Sequence, residues 1–155
     1  MKSVELDEFD IRLLREVTRD GRISVQTLSE RIGLSPSPVA RRLKRLEEAG
    51  IITGYAAQID EAALGFEVSV FVSVKLDRQI DDALSAFESE IATFPEVVDC
   101  WLMTGNRDYL LRVVTRNMAD FEKFLVGRLT KVKSVAEIES SIPLRRVKST
   151  AARTP

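Results

Sequence analysis

The spacing of apolar residues changes along this 155-residue chain, and that change limits the possible folds more than any other feature. Up to Gly50 the apolar side chains recur every three or four residues, which is typical of amphipathic helices. Residues 66–76 instead alternate between two faces, which is typical of a half-buried strand. A helical segment followed by a segment of strands and helices predicts an α+β protein of two small domains.

Three helices are predicted in the first fifty residues. Asp7 caps the first of them, and Asp10, which lies within its apolar arc, is interpreted as a structural part of that cap. Ser24 caps a short second helix, and Ser35 or Ser37 caps the third. The residues expected to end the helices are Asp20-Gly21, Gly33 and Gly50.

The third predicted helix carries positive charge that the formal net charge of -1 conceals. Residues 31–46 contain five basic side chains and no acidic one, because the acidic residues are concentrated elsewhere. At about 100° per residue, Val39, Leu43 and Leu46 share one apolar stripe that faces the core, and Arg42 lies on its flank. The opposite face, which meets water or a partner, carries Ser37, Arg41, Lys44, Arg45 and Glu48.

A helix–turn–helix with a basic outward face predicts DNA binding. Arginine and lysine neutralise phosphates, and an exposed helix face reaches base edges in the major groove. Hydroxyls and unpaired N–H groups at the start of the helix can also bind phosphate. The alternatives are a charged helix that is merely solvated and, for Arg22, an exposed arginine in a turn. Arg41 is the first candidate for a base contact. The predicted DNA contacts are Ser35, Ser37, Arg41, Arg42, Lys44, Arg45 and Arg22.

The rest of the pattern sets the domain boundaries. Residues 51–59 are rich in β-branched and aromatic side chains and are predicted to form a strand or hairpin. Residues 1–60 are then a winged helix–turn–helix domain, with a linker to about residue 65. Residues 66–145 follow the order β-α-β-β-α-β, which is the ferredoxin-like arrangement. Residues 146–155 have the composition of a disordered tail.

The predicted sheet has two apolar faces but helices for only one of them. The apolar stripes of its two helices are Ile80, Ala83, Leu84, Phe87, Ile91 and Phe94, and Met118, Phe121, Leu125, Leu129 and Val132. The strands expected around residues 97–103 and 109–114 are mostly apolar on both faces. A second copy of the chain is therefore expected to cover the open face, which predicts a homodimer packed sheet against sheet.

The segment between the second and third predicted strands is a candidate ligand site. It offers backbone N–H groups for a carboxylate, Asp108 for an ammonium group and an aromatic ring, which together suit an amino acid. The alternative, which the residues alone favour, is a hairpin turn in which Gly105 and Asn106 supply positive φ angles. Trp101 and Phe124 are expected in the core or in an interface rather than around a ligand.

Composition excludes several classes of function. The chain has no histidine, so it has no Ser–His or Cys–His nucleophile pair and no histidine general base. Its one cysteine, Cys100, cannot form an internal disulfide, and a zinc or other soft-metal site is not expected. No apolar run approaches the roughly 20 residues that span a bilayer, and the acidic N-terminus lacks the core of a signal peptide. We therefore expect a cytoplasmic protein without catalytic residues, metal or cofactor.

Several spaced motifs resemble the Lrp/AsnC (leucine-responsive, feast/famine) family of transcription regulators. The similar segments are Leu6-Asp7, Asp10, Leu13-Leu14, Asp20-Gly21-Arg22, the run from Leu34-Ser35-Pro36-Ser37-Pro38-Val39 to Ile52-Thr53-Gly54-Tyr55, and Thr104-Gly105-Asn106-Arg107-Asp108-Tyr109-Leu110-Leu111. The resemblance covers roughly residues 6–149. It implies a winged helix–turn–helix joined to an αβ ligand-sensing domain, dimers that commonly assemble into octamers, and amino-acid effectors bound near the loop between strands two and three. Carried over by position, the effector residues are Thr104, Gly105, Asn106, Asp108 and Tyr109.

The predicted function is a sequence-specific DNA-binding transcription regulator whose oligomeric assembly or DNA affinity responds to a small effector, an amino acid. Its expected partners are double-stranded DNA, the effector and further copies of the chain, as a dimer, tetramer or octamer, and no membrane. One alternative is a nucleoid-like architectural binder with little sequence preference. An enzyme of the siroheme-decarboxylase type, which resembles this architecture, is disfavoured because that family relies on histidines.

Overall fold

The chain divides into two units after Gln58. The computed structural model describes residues 5–77, 81–148 and 153–154. The N-terminal unit runs to Gln58 and also includes the described residues that follow Arg146, whereas the C-terminal unit comprises Ile59–Arg146. Among the described residues, no helix is long and apolar enough to cross a bilayer.

Three helices form the N-terminal unit: α1 (Glu8–Arg19), α2 (Val25–Ile32) and α3 (Pro36–Glu48). The predicted cap of α1 is confirmed as a reciprocal capping box. The Asp7 carboxylate accepts the Asp10 N–H at 2.9 Å, and the Asp10 carboxylate accepts the Asp7 N–H at 3.1 Å. Each carboxylate thus satisfies a backbone donor that the helix itself leaves unpaired.

The caps of α2 and α3 differ. The Ser24 hydroxyl accepts the Thr27 N–H at 3.0 Å, and Gly33 ends α2 in the left-handed conformation, both as predicted. Ser35 occupies the N-cap position of α3, but its side chain makes no capping hydrogen bond, which corrects the expectation that a serine hydroxyl caps this helix. A proline follows at the first helical position, where its missing N–H costs nothing.

The helices enclose an apolar core made from one face of each. Five of its side chains are no more than 1% exposed: Leu13, Leu28, Ile32, Val39 and Leu46. Leu43 packs against this core while remaining partly exposed. The apolar stripe predicted for the third helix is therefore confirmed.

The prediction of a strand or hairpin at residues 51–59 is wrong, because this segment adopts no regular secondary structure. Two of its β-branched and aromatic residues contact the helices instead. Ile52 packs against the helical core, and the Tyr55 hydroxyl donates to Glu47 at 2.8 Å. The described part of the N-terminal unit contains no strand, so the segment lacks a partner for ladder hydrogen bonds.

The C-terminal unit has the predicted order of strands and helices. Its elements are β1 (Val68–Leu76), α4 (Asp81–Ile91), β2 (Val97–Leu102), β3 (Tyr109–Thr115), α5 (Met118–Gly127) and β4 (Val135–Ser141), with short 3-10 helices at Ala62–Leu64 and Leu129–Lys131. The strands form one antiparallel sheet in the order β2-β3-β1-β4. This is the ferredoxin-like arrangement, so the predicted fold class is confirmed.

Both long helices pack on one face of this sheet. The core contains Phe87 and Ile91 from α4 and Phe121 and Phe124 from α5, against alternate residues of β1 and β3. The second predicted stripe is shorter than expected, because α5 ends at Gly127 and Leu129 lies in the 3-10 turn. Of the other predicted positions, Met118 is 50% exposed, whereas Ile80 and tail residues 149–152 and 155 lie outside the described residues.

Candidate DNA-binding surface and effector loop

The outward side of α3 exposes two positive charges. Arg41 is exposed and has no ion pair or hydrogen bond with any residue that the structure describes. The Lys44 side chain is 75% exposed, and its Nζ lies 3.7 Å from the Glu48 carboxylate. Exposed pairs of this kind contribute little to stability. Both charges, together with exposed Ser37, are therefore available to a partner.

Two other predicted DNA contacts, Arg42 and Arg45, reach back to α1. Arg42 Nη1 donates to Asp7 at 2.6 Å and to Asp10 at 2.8 Å, and its guanidinium lies 5.6 Å from the centre of the Phe9 ring. The hydrogen bonds that Arg42 donates to Asp10 and Asp7 raise the pKa of Arg42. Arg45 Nη2 also donates to Asp10. The basic side chains of α3 thus divide into Arg41 and Lys44, which are unpaired or weakly paired, and Arg42 and Arg45, which are paired with α1.

The sequence contained a signal for these ion pairs. The absence of acidic residues within 31–46 indicates a basic face, but the acidic partners come from α1. Asp10 lies in the apolar arc of α1 and is 0% exposed. A carboxylate at a core position requires donors, because burying an unpaired charge is strongly unfavourable. The predicted role of Asp10 as a cap is confirmed, and its pairing with two arginines is the part that was missed.

Arg22 lies in the exposed turn between α1 and α2. Its backbone N–H donates to the Asp20 carboxylate at 2.9 Å, which fixes the turn. Its side chain makes no hydrogen bond or ion pair with the described residues. This geometry agrees with both hypotheses for Arg22, namely a phosphate contact and an exposed arginine in a turn.

The loop between β2 and β3 is short and well fixed at its base. The Met103 N–H donates to the Asp108 carbonyl at 2.8 Å, and the Asp108 N–H donates to the Val74 carbonyl at 2.9 Å. Gly105 has φ +113°, whereas Asn106 does not have a positive φ. Gly105 alone therefore supplies the backbone freedom that the turn requires. The residues at its tip, 104–106, are exposed.

Two of the predicted effector residues, Asp108 and Tyr109, are buried rather than exposed. Asp108 is 5% exposed, and its carboxylate accepts the Leu76 N–H at 2.7 Å. Tyr109 is 1% exposed, and its hydroxyl donates to Glu88 at 2.7 Å. Burial, and then the neighbouring carboxylate, raise the pKa of Tyr109. The structure thus places Thr104, Gly105 and Asn106 at the surface and the other two in the framework beneath it.

A groove of about 350 Å³ lies beside this loop, between α4 and β2. Its lining includes Glu88, Ile91, Cys100, Leu102 and Tyr109. Burial is the main cause that raises the pKa of the Cys100 thiol, so the thiol is not an activated nucleophile. Sequence reasoning did not identify this groove, although alternation along β2 places every second side chain towards α4.

The sheet face opposite the helices remains largely open. Trp101 is 44% exposed there and lies opposite Leu110 in the β2–β3 register, while Phe124 is in the core, at 2% exposed. Beside this apolar pair, Arg112 binds Glu61 and Asp99, each at 3.0 Å. Hydrogen bonding to Arg112 lowers the pKa of Glu61. The open face therefore combines apolar side chains with a satisfied ion-pair network.

A helix–turn–helix with an exposed basic helix, followed by a domain with an exposed loop and groove, defines a DNA-binding regulator with a ligand-binding domain. Residues 6–53 match the family model described as winged helix-turn-helix DNA-binding. Residues 69–153 match the model of the Lrp/AsnC ligand binding domain. The chain belongs to the Lrp/AsnC family of transcriptional regulators.

Similar proteins match over nearly their full length. The Bkd operon transcriptional regulator of Pseudomonas aeruginosa is 45% identical over 143 residues, which cover 92% of this chain and 94% of that protein. The leucine-responsive regulatory protein of Rhizobium meliloti is 41% identical over 145 residues, which cover 94% and 93%. A transcriptional regulator of Neisseria meningitidis, solved in complex with L-Met, is 37% identical with a TM-score of 0.90 over 95% of both chains. The predicted fold and class of function are thus confirmed.

Proposed function

We propose that this transcriptional regulator binds double-stranded DNA through a surface on α3 and senses an amino acid at the β2–β3 loop. The observation that carries the first part is the pair of unpartnered or weakly paired cations, Arg41 and Lys44, on the outward side of a helix in a helix–turn–helix. Such a helix enters the major groove with its exposed face towards the bases. We define the α3 surface as Ser35, Ser37, Arg41, Lys44 and Arg45.

The start of α3 supports phosphate binding. Ser35 occupies the N-cap, yet its hydroxyl makes no capping hydrogen bond, so the hydroxyl remains available. Pro36 and Pro38 have no N–H, so the N–H of Ser37 is the backbone donor that the first turn adds. An anion at this position also interacts favourably with the helix dipole. Phosphate contacts of this kind position a protein on DNA without reading the sequence. Arg22 is proposed as a further phosphate contact.

An amino-acid effector suits the loop and the adjoining groove. The exposed residues Thr104, Gly105 and Asn106 offer backbone N–H groups, and Asn106 also offers its side-chain amide, as donors to a carboxylate. The Glu88 carboxylate in the groove can accept from an ammonium group. The groove also has apolar lining for a side chain. The Neisseria meningitidis relative was solved with L-Met, which supports this class of ligand. In this proposal, Asp108 holds the site in shape, whereas Tyr109, which lines the groove, contacts the effector there.

The open sheet face supports a homodimer. Its exposed tryptophan and the neighbouring apolar side chains provide a surface that a second copy of the chain would cover. Larger assemblies, such as tetramers and octamers, would form if dimers also contact each other through a surface other than the open sheet face. Effector binding would then shift the population of assembly states and, with it, DNA affinity.

The proposal includes a cytoplasmic location and no enzymatic activity. The relatives named above are transcriptional regulators of bacteria, and their DNA is cytoplasmic. The groove holds no nucleophile with a lowered pKa, and the chain has no histidine to act as a general base. A small-molecule effector, with no metal or cofactor, is sufficient for the proposed mechanism.

The substitution Arg41→Ala tests the DNA-binding surface. It should cost about 1–3 kcal/mol of binding free energy to a fragment of the protein's own promoter, because a base or phosphate contact is lost. Lys123→Ala, which removes another exposed positive charge, from α5, is the matched control. Affinities are measured at one fixed salt concentration, since phosphate contacts make binding salt-dependent. Equal affinities for both variants and the unmodified protein would contradict the assignment.

A further inference from the structure

The Asp10 carboxylate connects two helices of the DNA-binding unit. Its side chain is 0% exposed, and each of its oxygens is used. Oδ1 accepts from Arg42 at 2.8 Å, while Oδ2 accepts from Arg45 and from the Asp7 N–H at 3.1 Å. One buried carboxylate therefore caps α1 and at the same time fixes two arginines of α3.

Arg42 and Arg45 differ in how many hydrogen bonds and other contacts they make with the protein. The Arg42 side chain is 23% exposed, contacts two carboxylates and lies over the Phe9 ring. The Arg45 side chain is 46% exposed and donates one hydrogen bond, to Asp10. A guanidinium has five N–H donors in a rigid fork. Within the described part of the chain, the other donors of Arg45 meet no protein acceptor.

We infer that Asp10 is a positioning residue for DNA binding: it holds the Arg45 guanidinium by one N–H and leaves the remaining donors directed towards a phosphate. Arg42 has a structural role in this arrangement and does not contact DNA. The inference rests on the proposed α3 surface and adds to it a residue that itself never touches DNA. Holding a long side chain before binding lowers the entropy that would otherwise be lost on binding.

The direction in which DNA affinity changes when Asp10 is neutralised distinguishes a positioning role from simple charge repulsion. A carboxylate close to DNA repels phosphates, so neutralising it would tighten binding if charge alone mattered. If Asp10 instead positions Arg45, its neutralisation weakens binding, because the guanidinium loses its fixed orientation. The two explanations therefore predict changes in opposite directions.

The experiment is a double-mutant cycle with the full-length chain and a promoter fragment. Asp10→Asn is made in the unmodified protein and in Arg45→Ala, and Kd is measured between 50 and 200 mM salt, a range over which phosphate contacts change affinity strongly. In the unmodified protein, Asp10→Asn should weaken binding roughly fivefold or more and reduce the slope of log K against log salt by about 0.9, the value for one phosphate. In Arg45→Ala it should have no further effect on either quantity.

Asp7→Ala is the matched control, because it removes the other half of the capping box and a partner of Arg42 but leaves the Arg45 contact. It should lower Tm while keeping the salt slope. Arg45→Lys covers the case in which Asp10→Asn fails to fold. Lysine keeps the charge but lacks the fork that can bind a carboxylate and a phosphate together, so DNA affinity should still fall severalfold.

Three results would overturn the inference. Asp10→Asn could bind DNA as tightly as the unmodified protein or more tightly, it could weaken binding equally in the Arg45→Ala background, or Arg45→Lys could keep full affinity. Failure of the proposed α3 surface gives a different result, because Arg41→Ala would then retain the affinity of its Lys123→Ala control.

Discussion

At the scale of single residues, burial separates the effector residues predicted from the sequence into two groups. Asp108 accepts the Leu76 N–H inside the domain, whereas Asn106 is exposed at the tip of the loop. A motif in the sequence cannot separate these roles, because the same carboxylate can bind a ligand or a backbone donor. The difference appears only when the loop is seen against the end of β1.

Asp108→Ala and Asn106→Ala should therefore have different consequences. The first leaves a buried N–H unpaired and should lower the free energy of unfolding by about 1–3 kcal/mol without any ligand present. The second should change it by less than about 0.5 kcal/mol, but should reduce the rise in Tm caused by the most stabilising free amino acid. Thermal unfolding with and without that amino acid measures both. A full ligand response in Asn106→Ala would remove this side chain from the site.

Asp10 shows how far sequence reasoning reaches at this scale. Its place in the apolar arc of α1 identifies it as buried, and its spacing from Asp7 identifies it as a cap. Its partners are 32 and 35 residues away along the chain. Helical spacing within α3 places Arg42 and Arg45 on the helix surface but contains no information about which neighbouring helix they meet.

At the scale of elements, the two N-cap serines form a natural pair for comparison. The Ser24 hydroxyl caps α2, whereas the Ser35 hydroxyl makes no capping bond at α3. Ser24→Ala should therefore lower the free energy of unfolding by about 1 kcal/mol, and Ser35→Ala should leave it nearly unchanged. Chemical denaturation measures the two values under the same conditions.

The same two variants should differ in the opposite sense in DNA binding. Ser35→Ala should weaken binding to the promoter fragment, because a proposed phosphate contact is lost. Ser24→Ala should retain affinity at temperatures where it is folded. Equal destabilisation of the two proteins would show that position in the helix, rather than the observed hydrogen bond, determines the capping contribution.

The elements that sequence reasoning predicted well are those with long, regular patterns. Alternation identifies β1, and the amphipathic stripes identify the helices of both units. The prediction of a strand or hairpin at residues 51–59 was wrong because β-branched composition indicates only side chains that pack well. A strand additionally needs a neighbouring strand as its hydrogen-bonding partner. The end of α5 at Gly127 was missed because apolar spacing continued into the 3-10 turn at Leu129.

At the scale of the whole molecule, the order of elements determined the fold class. Three helices followed by β-α-β-β-α-β leave few arrangements, and the ferredoxin-like sheet order is the one observed. The groove between α4 and β2 could not be predicted in the same way. Its shape depends on side chains from separate elements whose distance the sequence does not specify.

The open face of the sheet has a further consequence for how this protein can be studied. The chain contains a single tryptophan, and Trp101 is 44% exposed on that face. An indole in water emits at longer wavelength than an indole in an apolar interface. If a second copy covers this face, the fluorescence of the unlabelled protein reports its own assembly.

Dilution should then shift the emission of Trp101 to longer wavelength as dimers dissociate, in parallel with the mass measured by sedimentation. Leu110→Lys places a charge opposite Trp101 in the register and should give the long-wavelength spectrum at every concentration. Emission that stays constant while the mass changes would place the interface elsewhere. The regulator thus carries an intrinsic fluorescent probe. Amino acids that alter its assembly can be identified by the shift in the emission wavelength of Trp101.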